Sequence, residues 1–351
     1  MKIILRSEYK KPERRSPLIP KHAKQLVDHG YDVFVEESPR RLFSMDDYLS
    51  AGCKKLPEHS WENEPADEKT IILGLKELPL NLEKIHGKHI YFAHIFKGQD
   101  DSEKSFKQLN DGDGLLYDLE FLQNEQGRRV AAFGYWAGYV GAALGLWQLG
   151  LKNKNLSLSK LSTFDSQDEL IKKVAEEVGD ASKIKSIIIG AGGRCGTGAS
   201  DFFKTQNCQI TGWDAPETAK GGSFKEIIEH DIFVNCVYLS TEIPPFIDKK
   251  TIEDANSQLK VISDVSCDPN GPWNPIRVYD KHTSWDNPTL KVENTTTDII
   301  AIDNLPSLLP KESSEDFSEQ LIPYLLDLNE DKMGVWKRAE NIFYENKKKY
   351  C

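Results

Sequence analysis

Ser186-Ile187-Ile188-Ile189-Gly190-Ala191-Gly192-Gly193-Arg194-Cys195-Gly196-Thr197-Gly198-Ala199-Ser200 is the stretch on which the fold turns. A β-branched run enters a cluster of glycines, and a segment of small residues leaves it. This is the pattern of a strand, a tight turn and a helix. A pyrophosphate needs such a turn, because it must reach backbone N–H groups with no side chain in the way, and the helix N-terminus adds partial positive charge. The spacing departs from G-x-G-x-x-G. Cys195 stands where the third glycine would fall, and Gly190, Gly193 and Gly196 give G-x-x-G-x-x-G instead. The next apolar run, Gln209-Ile210-Thr211-Gly212-Trp213, ends on Asp214. A carboxylate there accepts hydrogen bonds from ribose hydroxyls and repels a 2′-phosphate, so the pattern predicts NAD as cofactor rather than NADP.

Outward from this loop, strands and helices alternate. Residues 2–6, 31–36, 70–75 and 89–93 read as strands, with helices over 20–29 and 46–51. A second series begins at Lys185, with strands over 186–189, 208–213, 231–237 and 261–265. Regular alternation implies parallel sheets covered on both faces. Past Leu305 the strands stop, and helices over 314–328 and 333–344 must pack on a lobe already built. The expected fold is α/β, with two Rossmann-like lobes whose parallel sheets flank a central cleft. Residues 1–132 with 311–351 would form a discontinuous substrate and catalytic domain, and 133–310 the NAD-binding domain.

Length and composition agree with two ordinary domains: 351 residues, 39% hydrophobic and 28% charged. A net charge of -10 argues against nucleic acid as a partner. The six cysteines are widely spaced and form no CxxC, so no metal site is expected. With no secretory signal at the N-terminus, the reading is a reducing cytoplasm. Residues 130–150 hold no charge and carry Gly134, Gly138, Gly141 and Gly145. That length suits a bilayer span, yet the mean hydropathy of -0.52 does not. The segment is therefore read as a buried helix between domains, its glycines admitting other backbone, and no membrane partner is expected.

The densest chemistry lies in the first lobe. Gly74-Leu75-Lys76-Glu77-Leu78-Pro79 and Phe92-Ala93-His94-Ile95-Phe96-Lys97-Gly98-Gln99 both follow strands. Tyr117-Asp118-Leu119-Glu120 and Gly127-Arg128-Arg129-Val130 come next, with Arg15 near the start. Arginines bind carboxylates bidentately. A lysine among cations loses basicity until it serves as a proton acceptor, and histidine shuttles protons near neutral pH. The set suits a substrate with several carboxylates and an amine.

These stretches, with Ile302-Asp303-Asn304-Leu305-Pro306-Ser307-Leu308-Leu309-Pro310, resemble the NAD-dependent, lysine-forming saccharopine dehydrogenases of the alanine dehydrogenase and transhydrogenase superfamily. The resemblance implies oxidative deamination of saccharopine to lysine and 2-oxoglutarate, reversibly. Lys76 would be the base and His94 the acid–base group of imine hydrolysis. Arg15, Gln99, Arg129 and Phe133 match substrate-contacting positions. Arg128, Gly193, Arg194, Asp214, Thr218, Tyr238, Val265, Ile302, Asp303, Asn304 and Leu305 match cofactor contacts. Glu77 and Glu120 would tune the charge of Lys76. Cys195 and Cys236 match a cysteine pair beside the nicotinamide pocket, either bridged or reduced. Residues 266–270 match the family's substrate-side loop only in part. One chain would hold the whole substrate site, which permits a monomer. The alternative is an alanine dehydrogenase-like or other opine-type amino acid dehydrogenase, whose smaller substrate needs fewer arginines than Arg15, Arg128 and Arg129.

Overall fold

A computed structural model describes residues 1–350 apart from Pro12, Ala66, Glu68, 97–100 and Ser240. The chain divides into two compact units, Met1–Ala132 with Ser313–Cys351, and Phe133–Glu312.

The first unit is built on a six-stranded parallel sheet. Its strands are β1 (Lys2–Leu5), β2 (Asp32–Glu36), β3 (Lys54–Leu56), β4 (Thr70–Leu73), β5 (Lys88–Tyr91) and β6 (Leu115–Asp118). They lie in the order β3-β2-β1-β4-β5-β6. β4 and β6 are buried at every position, as strands covered on both faces are. Between them run the helices α1 (Pro20–Asp28), α2 (Met45–Ser50) and α3 (Ser102–Asp111). α1 opens on Pro20, whose missing N–H costs nothing in a first turn. Ser44 and Asp47 cap α2 reciprocally. The polar α3 was not expected from the sequence; its Phe106 and Leu109, three apart, supply a buried stripe. The three-residue β3 was also missed, being too short to show a period.

Two late helices, α10 (Pro310–Leu326) and α11 (Val335–Tyr350), bring no strand. Phe317 of α10 lies 5.8 Å from Phe92, and Phe343 of α11 lies 6.1 Å from Phe106. The hydroxyls of Ser314 and Ser318 accept from the N–H groups of Ser16 and Ile19 at 2.9 and 3.1 Å. Residues from Ser313 onward thus belong to the first unit.

The second unit carries β7 (Lys185–Ile189), β8 (Gln209–Trp213), β9 (Ile232–Asn235), β11 (Val261–Asp264), β13 (Leu290–Lys291) and β14 (Asp298–Ile300) in the order β13-β14-β11-β9-β7-β8. Only the β13–β14 pair is antiparallel. A separate two-stranded pair joins β10 (Ile247–Asp248) to β12 (Ile276–Arg277). Side chains of the main sheet alternate between two cores. Ile188, Val234, Val261 and Ile300 enter one, while Ile187, Phe233, Ile262 and Ile299 enter the other. This is the period of two that a pleated strand imposes.

The helices here are α4 (Gly134–Lys152), α5 (Gln167–Val178), α6 (Arg194–Thr205) and the short α7 (Ala215–Thr218), α8 (Lys225–Ile228) and α9 (Lys249–Ile252). α4 was read as a helix between domains; it lies wholly within the second unit. There it packs against α6 so closely that a Cβ on Gly138 would sit 1.8 Å from the Cys195 carbonyl oxygen. Its glycines serve packing. No described helix is long and apolar enough to cross a membrane.

Candidate active site

β4 runs out at Leu73, and the chain turns through Gly74 and Leu75 to Lys76. The buried Glu8 carboxylate fixes this turn, accepting from the N–H groups of Leu75 and Lys76 at 2.7 and 2.9 Å. Arg6, 1% exposed, stands 3.3 Å from Glu8 and donates to the Lys76 carbonyl. Gly74 must be glycine, since a Cβ there would lie 2.2 Å from Arg6 Nε. A buried ion pair thus holds the lysine's backbone, and losing one partner would strand the other charge. The Lys76 charge reaches two carboxylates. Burial raises the Glu13 pKa, but the charge and hydrogen bonds of Arg15, with the charge of Lys76, hold it below the usual value. Burial acts likewise on Glu77, outweighed by Lys10 at 2.8 Å and by the charge of Lys76. Arg15 is buried, and its guanidinium grips Glu13 through two bonds of 2.8 and 2.7 Å.

β5 and β6 place the second cluster. His94 follows β5 in the left-handed region, at φ 57°, with its ring stacked on Phe92. Its Nδ1 is 3.3 Å from Glu120 Oε2. Arg129 Nη2 donates to Glu120 Oε1 at 3.3 Å and its Nε to the Glu120 carbonyl at 3.2 Å. Glu120 therefore stands between a histidine and an arginine, hydrogen-bonded to Arg129 and within ion-pair distance of the His94 ring. β6 ends on Asp118, which is 1% exposed. Its Oδ1 accepts the Glu120 N–H at 2.9 Å, while Oδ2 has no hydrogen-bond partner among the described residues. Burial pushes its pKa to about 6, partly offset by a backbone hydrogen bond and the charge of His94.

In the second unit β7 passes into Gly190, at φ 88°, where L side chains are strained. Gly193 caps α6. A Cβ on Gly196 would lie 2.1 Å from the Gly190 carbonyl oxygen, so the helix can meet the turn only through glycine. The first turn of α6 leaves backbone N–H groups without helical partners, as every helix start does. Asp214 stands at the end of β8 and accepts the Gly192 N–H at 2.9 Å. Thr218 donates to the Asp214 carbonyl at 2.9 Å. A donor-rich turn beside a strand-end carboxylate fits a dinucleotide's pyrophosphate and ribose. Val265 follows β11, its N–H on the Asn235 carbonyl at 3.0 Å. Ile302 and Leu305 are buried and Asp303 is exposed. Asn304, at φ 61°, donates to Asp303 at 2.5 Å.

Comparison with known proteins places the chain in a family. Residues 4–140 match the alanine dehydrogenase/PNT N-terminal domain and residues 217–345 the corresponding C-terminal domain. The NAD(+)-dependent, L-lysine-forming saccharopine dehydrogenase of Candida albicans is 44% identical over 97% of this chain and 95% of its own. That of Schizosaccharomyces pombe is 44% identical over 97% and 96%. The chain belongs to the lysine-forming saccharopine dehydrogenase family. A solved L-alanine dehydrogenase, 16% identical, shares the fold with a TM-score of 0.70, covering 99% of this chain and 94% of that one.

Within this family member, the residues expected from the sequence fall into separate groups. Lys76, Glu77 and Arg15 follow the ends of β1 and β4, and His94, Glu120 and Arg129 those of β5 and β6. Gly193, Arg194, Asp214 and Thr218 line the glycine turn and the β8 end; Tyr238 is 63% exposed just past β9. Arg128 belongs to the first unit, exposed on a turn held by Asn124. Phe133 opens the second unit as the N-cap of α4. Gln99 lies outside the described residues. Cys195 and Cys236 are free thiols in this structure. They touch: burial and a hydrogen bond with Cys195 raise the Cys236 pKa well above the usual value. Among the described residues no cluster could hold a metal. Sequence reasoning missed Lys10, Glu13 and Glu8. The charge cluster just past β1 was the available signal.

Proposed function

We propose that this chain oxidises saccharopine to lysine and 2-oxoglutarate with NAD, and runs the reverse. The observation that supports the reading most is the near-full-length identity to lysine-forming saccharopine dehydrogenases. Bound NAD supplies the hydride acceptor. Lys76, held by its backbone on Glu8 and Arg6, takes the proton of the secondary amine as the C–H hydride leaves. Water adds to the resulting imine, and His94, steadied by Glu120, moves protons during hydration and collapse to lysine and 2-oxoglutarate. Arg15, Arg129, Gln99 and Phe133 would position the substrate. Arg15 is now bidentate on Glu13, so a substrate carboxylate would share or displace that partner. Arg128, Gly193, Arg194, Asp214, Thr218, Tyr238, Val265 and residues 302–305 would hold NAD. A single chain in the cytoplasm suffices for this reading.

The test is NADH oxidation with lysine plus 2-oxoglutarate against pyruvate plus ammonia. Turnover with the first pair alone is expected; turnover with the second alone would move the chain to the alanine dehydrogenase reading.

A further inference from the structure

The second unit holds a cavity that the reaction leaves unused. It measures about 570 Å³, the size of a small-molecule pocket. It lies between the start of α9, the chain that follows β11, and β13. Its lining includes none of the residues named above as substrate or NAD contacts, though Pro269 belongs to the segment that partly matches the family's substrate-side loop. Four cations line it, Lys249, Arg277, Lys281 and Lys291, against the two carboxylates of Asp280 and Glu293. Lys249 is spoken for, 3.6 Å from Glu293. Arg277, Lys281 and Lys291 make no ion pair with any described residue. All three are exposed and keep their hydration, and with Glu293 taken by Lys249 an anion entering the hollow meets three cations against the one carboxylate of Asp280. This excess is the more notable in a chain with a net charge of -10.

We propose that this cavity binds a compact dianion, a dicarboxylate or a phosphate, between Arg277, Lys281 and Lys291. The planar fork of Arg277 suits either group. The wall also leads to the cofactor side. Tyr279 lines the cavity, and its hydroxyl donates to Asp264 at 2.6 Å. Asp264 in turn accepts from Asn235 at 2.9 Å and from the Ser266 hydroxyl at 2.6 Å. These bonds hold the turn that carries Val265. An occupant pressing on Tyr279 shifts that turn and so changes NADH affinity. This second step rests on the NAD reading; the binding step does not.

The experiment is calorimetric titration of the full chain with inorganic phosphate and, separately, with succinate, using chloride at matched ionic strength as reference. The comparison is with the triple variant Arg277→Gln, Lys281→Gln, Lys291→Gln, whose exposed side chains are not needed for folding. At least one dianion is expected to bind the native chain in the millimolar range or tighter, and at least about tenfold more weakly to the variant. Phosphate alone, or succinate alone, names the class. Equal affinity for the two proteins, or no heat beyond chloride up to ~10 mM, overturns the site. A fluorescence-derived NADH Kd that a saturating dianion leaves unmoved overturns the coupling.

Discussion

At the ends of β4, β5 and β6 the first unit gathers charged side chains, whereas at the ends of β7 and β8 the second unit gathers backbone. Lys76, Glu13 and Glu77 act on one another through charge, and so do His94, Glu120 and Arg129. Gly190, Gly193 and Gly196 work by leaving space. The two regions answer different ligand chemistries on the same kind of sheet. An amine with carboxylates is read by side chains whose protonation matters, and a pyrophosphate by N–H groups that no substitution but proline removes. The first region should therefore be sensitive to charge, and the second to volume.

The largest effect expected is on Lys76→Met. Its backbone bonds to Glu8 and Arg6 persist, so the fold is kept, while the proposed base is lost. In the lysine plus 2-oxoglutarate assay kcat should fall about 10²–10⁴-fold, with the NADH Kd within about twofold. A fall of less than tenfold would mean that charge at β4 is not what this region contributes.

Asp118 gives the same comparison a pH dependence. Its carboxyl titrates at about 6 in the folded chain against 3.8 ordinarily. Below pH ~4 it is protonated folded or unfolded and has no effect. Between there and about 6 the unfolded chain ionises first, so stability falls as pH rises. Above about 6 the loss is complete, roughly 3 kcal/mol for two pKa units. Asp118→Asn should flatten this slope in urea unfolding measured from pH 4 to 8. An unchanged slope would show that the carboxyl is not strained by burial.

The next effect is one of volume. Gly196→Ala places a methyl group 2.1 Å from the Gly190 carbonyl oxygen, so backbone must move. Thermal unfolding should report a loss of about 1–3 kcal/mol, with weaker NADH binding. Gly193→Ala is the counterpart, since its Cβ would meet the same oxygen at an ordinary 3.5 Å. It should leave stability nearly intact and still weaken NADH, because a pyrophosphate on this turn needs backbone N–H groups with no side chain in the way. If both variants lose equal stability, the turn's glycines differ less than their geometry says.

Legibility from the sequence followed the same divide. The glycine turn, the β8-end carboxylate and the alternation of strands and helices were readable because they depend on local pattern. The roles of Lys76 and His94 came through resemblance, and strand ends gave them a physical place. What was not legible needed residues distant in sequence. Nothing near Lys76 announces that Glu8, 68 positions away, caps its turn. Nothing in Arg15 says that Glu13 occupies its guanidinium. The short β12, β13 and β14 carry too few residues for a period, so the dianion cavity beside β13 had no sequence signature either. The polar α3 hid because its buried stripe is only Phe106 and Leu109 wide.

The smallest effect, and the one that best separates the two regions, is on Asp214→Ala. Asp214 is one of four charged residues assigned to the proposed NAD site, with Arg128, Arg194 and Asp303. Removing it deletes ribose hydrogen bonds and leaves the Gly192 N–H, which it now accepts at 2.9 Å, free to meet water. Stability should change by less than about 1 kcal/mol, as for other half-exposed positions. kcat/KM for NADH should drop about tenfold, the equivalent of one or two hydrogen bonds. For NADPH it should hold or rise, because the repulsion of the 2′-phosphate is gone. The decisive quantity is the NADPH to NADH ratio. A ratio that stays put would mean that discrimination does not lie in the Asp214 carboxylate, and the backbone turn or Arg194 would then carry it.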